Sequence, residues 1–391
     1  MELVIDEQPY LYKHYLLMDD RMMDLHLWPV GKVLAGNIYL GYVEHTAKGM
    51  DSVFVNIGNG EKGVLPISEQ GNATTKGQSL SPGNRVIVQV NKMGRDGKRP
   101  VLTQNLQFAG GYIIYMPKAG YGTASRQLSY KQGQHLKKVM KSVTEANEGF
   151  ILRSASGYTN SDTLKAEWQR LKEHWRQLKD HIGRNTGEPR LLQSGWPMTV
   201  SRLFNRCVTE DIDMVISNDQ SVLMDLRDMF AAADCEPPRF NYQRPLPENV
   251  QKVCRETMRQ AIQPVIRDKN GMTIHIHETE ALTAIDINMG RFKTSENKIE
   301  AAYAVNEAAI PVIMRQMKLR QLQGIILIDA LKMNSARHRM RVLDQIKQWA
   351  QTDPVRTKVH GYTQTGLIEI TRQSAGFRLK DWVKQQGSSE Q

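Results

Sequence analysis

The chain is poor in cysteine. Cys207, Cys235 and Cys254 are its three, they stand far apart, and none forms a CxxC pair. That excludes a disulfide framework and leaves no pattern for a structural zinc, so no zinc is expected, and it fits a reduced, cytoplasmic setting. No run approaches the roughly 18 apolar residues that a membrane-crossing helix requires. The opening stretch "MELVIDEQPYLYKHYLLMDD" lacks the basic start and apolar core of a signal peptide. Carboxylates are in deficit: 41 Asp and Glu face 52 Lys and Arg, a net charge of +11. A basic surplus favours a polyanionic partner, nucleic acid before an anionic membrane surface.

What is present suffices for several cores. At 391 residues, 40% of them hydrophobic, the chain should hold two to four domains. Between 36 and 107, "NIYLGYVEHT", "SVFVNIG", "EKGVLPI" and "NRVIVQVNK" alternate like short strands between "GNG", "SPGN" and "GRDGKRP" turns. About five such strands predict a small closed barrel of the OB type. Residues 108–190 mix strands at "GGYIIYMP" and "EGFILRSA" with a helix on which Leu164, Trp168, Leu171, Trp175, Leu178 and Ile182 recur at helical spacing. That stripe reads as core. Residues 191–270 read as strands near "PMTVSRLF" and "IDMVISN", then helices at "SVLMDLRDMFAA" and "PENVQKVCRETMRQAI". The tail "KQQGSSEQ" has a disordered composition.

The C-terminal third poses the chemical question. "MTIHIHETEALTAIDIN" predicts a hairpin turning at "HETE", and its second strand ends on Asp286 amid apolar neighbours. Burying an unpaired carboxylate there would cost several kcal/mol. A helical pattern follows from about Ser295 to Gln323, with Pro311 expected to kink it. "GIILIDA" then predicts a second buried strand, ending on Asp329. Strand, helix, strand is a βαβ unit with parallel strands and a right-handed crossover, so both aspartates belong at carboxyl ends, where open α/β sheets place their sites. Two carboxylates, with the Asn288 amide on the same side, suit Mg²⁺, and Arg291 and Lys293 would hold phosphate oxygens. The alternative is structural: Asp329 caps the helix beginning near "SARHRMRVLDQI", and Asp286 pairs with an arginine.

At these residues the sequence resembles the ribonuclease E/G family of bacterial endoribonucleases, through "TEALTAIDIN", "GIILID" and "GLIEITR". The resemblance spans most of the chain in family order and is loosest over 190–270. It implies a multidomain fold of α/β and all-β parts. An OB-type RNA-binding barrel (34–107) and a 5′-end sensor (108–190) are inserted into an RNase H-like domain (1–33 and 191–270). A DNase I-like α/β catalytic domain (271–391) follows. By position, Asp286 and Asp329 correspond to the magnesium ligands, and Asn288 to the residue that orients the attacking water or the phosphate. Phe54 and Lys98 fall where the family contacts RNA near the cleavage site. Gly110, Ile114, Arg126, Arg153 and Ser154 match the 5′-phosphate sensor. On residue pattern alone, Phe54 reads equally as barrel core, and Arg153 with Ser154 as a surface pair.

Three positions depart from the family: Val64 replaces an aromatic, Lys332 an acid and Gln364 an arginine. The CPxC motif through which family protomers share zinc does not occur, so any oligomer is expected to form without it. The expectation is a Mg²⁺-dependent endoribonuclease acting on single-stranded RNA, favouring 5′-monophosphorylated substrates, with no membrane partner. Its rivals are an RNA-binding protein of the same architecture with weak or no turnover, and a DNA or membrane-surface binder.

Overall fold

The computed structural model describes residues 1–8, 11–18, 21–29, 34–46, 51–70, 80–94, 98–184, 187–292, 298–374 and 376–383; Lys293, Ser295 and the tail "KQQGSSEQ" lie outside them. The chain divides into two compact units, one of residues 1–28, 214–219 and 241–391, the other of 29–213 and 220–240.

In the first unit, Glu2–Gln8 pairs antiparallel with Leu11–Met18 and parallel with Met214–Ser217. Val4, Tyr15, Leu17 and Ile216 from these strands meet Val250 and Cys254 of the Glu248–Ala261 helix in one core. The same unit holds a six-stranded sheet in the order Val265–Arg267, Thr273–Glu278, Leu282–Asn288, Gly324–Asp329, Ile368–Arg372, Thr357–Tyr362. The expected hairpin forms, turning at residues 279–281, two later than "HETE" suggested: the Thr279 hydroxyl donates to the Leu282 carbonyl at 2.8 Å. The helix Lys298–Leu319 makes the crossover and continues through Pro311. It ends where Gln321 takes a left-handed φ of 53° and the Leu322 N–H returns to the Met317 carbonyl.

Alternation decides this sheet's two faces. Ile274, Ile276, Ile285, Ile287, Ile326, Ile328, Ile368 and Ile370 all point one way, onto Val305, Ile310, Ile313 and Met317 of the crossover helix and Val342 and Ile346 of the Ala336–Thr352 helix. The opposite face carries His275, His277, Ala284, Asp286, Asn288 and Asp329 together with Leu282, Ile325 and Leu327. "GIILIDA" is therefore half-buried, not wholly buried as the sequence suggested, with Ile325 42% exposed.

The second unit contains the barrel. Ile38–Thr46, Ser52–Gly58, Glu61–Pro66, Val101–Thr103 and Arg85–Lys92 pair in that order, and the last closes back on the first from Ile38↔Gln89 to Tyr42↔Arg85. Val43, Val53, Val55, Leu65, Val88 and Leu102 fill it. The "GNG" turn takes three successive left-handed residues, φ 97° at Gly58, 53° at Asn59 and 76° at Gly60, which explains its two glycines. Arg190–Gln193 adds a further strand beside Ile38–Thr46.

Next in sequence, Phe108–Ala109, Ile113–Met116, Gly149–Leu152 and Gly122–Ala124 form a four-stranded sheet. The helix Ser161–Arg184 packs on it: Trp168 is fully buried, edge-on to Tyr115 at 4.8 Å, and its indole N–H reaches the Val143 carbonyl. The tryptophan stripe is core. Two elements differ from expectation. Tyr130–Lys141 is an unforeseen helix, opened by a reciprocal Ser129–Gln132 capping box. "PMTVSRLF" is no strand but the start of the Trp196–Thr209 helix, in which Val200, Leu203, Phe204 and Cys207 are buried at 3–4 residue spacing. That period outweighs the β-branched Thr199 and Val200.

The Glu167 carboxylate ties the Ser161–Arg184 helix to the four-stranded sheet. It is buried and accepts the backbone N–H groups of Gly111 (2.7 Å), Tyr112 (3.0 Å) and Ile113 (2.8 Å). Burial pushes its pKa up, while the three donors and Arg170 pull it back. Removing the acceptor strands three donors, each costing about 1–3 kcal/mol. Glu167→Ala should therefore lower unfolding stability by about 3 kcal/mol or more in urea titration; a loss below about 1 kcal/mol would show the donors satisfied otherwise.

Candidate active site on the open sheet face

The register brings the two aspartates together. Leu282–Asn288 and Gly324–Asp329 run parallel, from Leu282↔Ile325 to Asp286↔Asp329, so the carboxylates stand opposite one another on adjacent strands. Both are exposed, because the alternation that buries Ile285 and Ile287 turns Asp286 to the open face. The desolvation cost anticipated from its apolar neighbours does not arise. Asn288, two residues on, donates its amide N–H to Asp286 Oδ2 at 2.7 Å. Asp329 caps no helix: Ser335 does so, its Oγ accepting the His338 N–H.

The donor set is oxygen only. Among the described residues no three His, Cys, Asp or Glu side chains are grouped to hold a metal ion. An ion here would thus have two carboxylates, Asp286 and Asp329, and complete its shell with water. That is how Mg²⁺ is commonly held, so these residues fit it. Arg291 is exposed just beyond the strand, and its N–H is fixed to the Gly271 carbonyl at 2.9 Å. The turn leading to it requires Gly290: φ is +56°, and a Cβ there would lie 2.3 Å from the Gly271 oxygen. Lys332 is exposed three residues past Asp329, and Gln364 is exposed in a loop.

One supporting residue escaped the sequence reading. Asn306, fully buried in the crossover helix, donates to the Leu331 carbonyl at 2.8 Å and accepts the Leu331 N–H at 2.9 Å. These bonds fix the chain two residues after Asp329. A polar residue at a core position of the helical pattern was the available signal.

The proposed sensor residues converge on one sheet end. Gly122–Ala124 and Gly149–Leu152 are parallel, with Ala124 beside Leu152, so Arg126 and Arg153 leave neighbouring strands at the same edge. Arg153 Nη1 donates to the Gly110 carbonyl at 3.2 Å and to Ser201 Oγ, which itself donates to Gly110. Surrounding protein pushes its pKa down to about 10. Ser154 is buried, and its hydroxyl reaches Asn205 Oδ1 at 3.1 Å. The surface-pair reading of these two residues fails. Ser201 and Asn205 went unnoticed because their helix read as a strand. Ile114 is half-buried in its strand opposite Ile151, and Arg126 is exposed.

On the barrel, Phe54 is half-buried and lies outside the apolar interior, so the core reading fails for it too. His45, its partner across the strand pair, stacks on it at 4.6 Å, and the Arg99 guanidinium covers its ring at 4.7 Å. Val64 stands opposite Phe54 on the other neighbouring strand. Lys98 is exposed beside Arg99.

Residues 107–375 match the profile of the Ribonuclease E/G family, and residues 32–104 that of the S1 RNA binding domain. Ribonuclease E of Synechocystis is 28% identical over 370 residues, covering 89% of this chain and 53% of that protein. Ribonuclease G of Escherichia coli K12 is 29% identical over 377 residues, covering 87% and 72%. A putative ribonuclease E of Buchnera aphidicola is 27% identical over 391 residues, covering 93% of each. The chain thus spans about half of the cyanobacterial relative. Among the described residues, no helix is long and apolar enough to cross a membrane.

Asn306→Ala should free Leu331 from both bonds. Stability is expected to fall by about 1–3 kcal/mol, with amide exchange at Leu331 accelerated more than in the Leu282–Asn288 strand. Unchanged protection at Leu331 would show that the loop is held by other contacts.

Proposed function

The chain belongs to the ribonuclease E/G family, and on that premise we propose that it is an endoribonuclease of RNA processing or decay, using Mg²⁺ to hydrolyse single-stranded RNA. The observation that carries this reading is the Asp286↔Asp329 pairing, which sets two carboxylates side by side on an open sheet face with Asn288 hydrogen-bonded to one of them. Bound there, Mg²⁺ would neutralise charge on the scissile phosphate and make a water molecule more acidic. Asp286 and Asp329 would hold the ion. The Asn288 amide, already directed at Asp286, orients the attacking water or a phosphate oxygen, and Arg291 and Lys293 supply positive charge to the RNA backbone. In-line attack of that water on phosphorus would break the P–O3′ bond, with a proton passing to the departing O3′, and leave a 5′-phosphate and a 3′-hydroxyl.

The S1 barrel supplies the grip on RNA. The His45–Phe54–Arg99 stack, in which His45 and Arg99 are exposed, gives a base a surface that requires no particular sequence, and Lys98 adds charge beside it. The edge bearing Arg126 and Arg153 supports a 5′-end sensor, with Arg153 braced on Gly110, Ser154 on Asn205, and Ile114 in the adjoining strand. Parallel pairing of Glu2–Gln8 with Met214–Ser217 supports an RNase H-like domain that joins the N-terminal strands to 214–219 and 241–270, whereas 191–213 and 220–240 group with the barrel, and a DNase I-like domain would follow from 271. The protein would act in the cytoplasm.

Labelled single-stranded RNA should be cut with Mg²⁺ and left intact with EDTA. Asp286→Asn and Asp329→Asn should each lower cleavage by at least about a hundredfold while RNA affinity stays within about twofold, since binding rests on the basic surface. Near wild-type cleavage by either variant would sink the metal assignment, and binding without cleavage by the native chain would favour the RNA-binding alternative.

RNA bearing a 5′-monophosphate should be cut about tenfold faster than its 5′-hydroxyl counterpart, since charge-assisted hydrogen bonds contribute roughly 1.5–3 kcal/mol each. Arg126→Ala is the cleaner probe, being exposed where Arg153 is tied into the fold. It should reduce the preference and spare cleavage of the hydroxyl substrate. Equal rates on both substrates with the native chain would mean the sensor does not operate.

A further inference from the structure

Two histidines share the open face with the paired aspartates. In the antiparallel hairpin His275 stands opposite Asp286, so His275, Asp286 and Asp329 form one row across three adjacent strands. The next row is His277, Ala284 and Leu327. His275 is half-buried and His277 exposed, and their rings are 6.4 Å apart with planes only 27° from parallel. Ala284 is exposed, and its methyl leaves a shallow trough between the His277 ring and the half-buried Leu327.

Imidazoles beside carboxylates suggest a metal first. The histidines do not join the two carboxylates as ligands, since no three-member group able to hold an ion exists among the described residues. A core role is excluded by exposure. What remains is a pair of near-parallel rings at the spacing favoured by interacting aromatics, beside an apolar floor. The rows are about 7 Å apart, two residues along a strand. That is of the order of the distance from a phosphate to the base of its own nucleotide.

We propose that His275 and His277, with Ala284 and Leu327 as the floor, form a platform on which one base of the RNA stacks, next to the phosphate that an ion at Asp286 and Asp329 would hold. The platform rests on the endoribonuclease reading for its substrate class but not for its test. His277 contributes the exposed ring, and His275 backs it and borders the carboxylates. Stacking tolerates any base, so the platform fixes the position of the strand more than its sequence.

The test measures binding with Ca²⁺ in place of Mg²⁺, so that a cation can bridge the carboxylates and the phosphate, and a gel confirms that the RNA stays intact. An abasic nucleotide is moved one position at a time along a short single-stranded RNA, and affinity is read by fluorescence anisotropy for the native chain, His277→Ala, His277→Phe and Ala284→Leu. One position is expected at which the abasic substitution weakens the native chain about tenfold but leaves His277→Ala unaffected. His277→Phe should keep the native response, because a ring is what is needed, and Ala284→Leu should lose it by filling the trough. If every position weakens the native chain and His277→Ala alike, the platform is refuted. A chain that passes this test but cuts no RNA with Mg²⁺ would overturn the endoribonuclease reading and leave the platform standing.

Discussion

The site depends on one register. Asp286 faces Asp329 only because Leu282 pairs with Ile325 and the parallel ladder keeps step for five residues. Side chains alternate along a strand, so a slip of one residue would bring Ile285 or Ile287 opposite Asp329 and force apolar and charged groups onto the same face. The isoleucine face packed on two helices makes that slip costly, since each fully buried large aliphatic side chain contributes about 1.5–3 kcal/mol. Chemistry on one side of the sheet is thus held in place by hydrocarbon on the other.

A second constraint secures the sheet's far end. Arg372 and Asp353 form a buried ion pair, with Nε to Oδ2 at 2.8 Å. Asp353 also accepts from Thr357 Oγ1 and the Val355 N–H, and Arg372 donates to the Leu322 carbonyl. With its groups bonded on several sides, the pair anchors the end of the Ala336–Thr352 helix to the last two strands. Breaking it from one side would leave a buried charge unmatched, which commonly costs 3–5 kcal/mol.

Much of this was legible in the sequence, and the failures have physical causes. The barrel could be read because short alternating strands and glycine turns carry their own signals within a few residues. The βαβ unit could be read because two apolar runs flank a long helical pattern. Asp286 was misjudged as a burial problem: its immediate neighbours are apolar, but on a strand immediate neighbours belong to the opposite face. Phe54 was ambiguous for a related reason, since alternation assigns faces in pairs and does not say which is interior. The helix at Trp196–Thr209 was lost to local β-branched residues, and with it went Ser201 and Asn205, which brace Arg153 and Ser154 from more than 45 residues away. Such long-range polar pairs leave no periodic trace in a sequence.

The parallel pairing of Glu2–Gln8 with Met214–Ser217 also orders events during synthesis. Leu11–Met18 is available to Glu2–Gln8 almost at once, but its other edge waits for a partner more than 200 residues downstream. At ribosomal speeds of about 5–20 residues per second, that interval is roughly 10–40 s. The five barrel strands between Ile38 and Thr103 close on one another, so they can pair in the meantime, with Arg190–Gln193 added later. An open strand edge is a site for mispairing. The nascent chain therefore carries its N-terminal hairpin half-completed past a closed barrel, and whatever shields that edge on the ribosome bears directly on the yield of native protein.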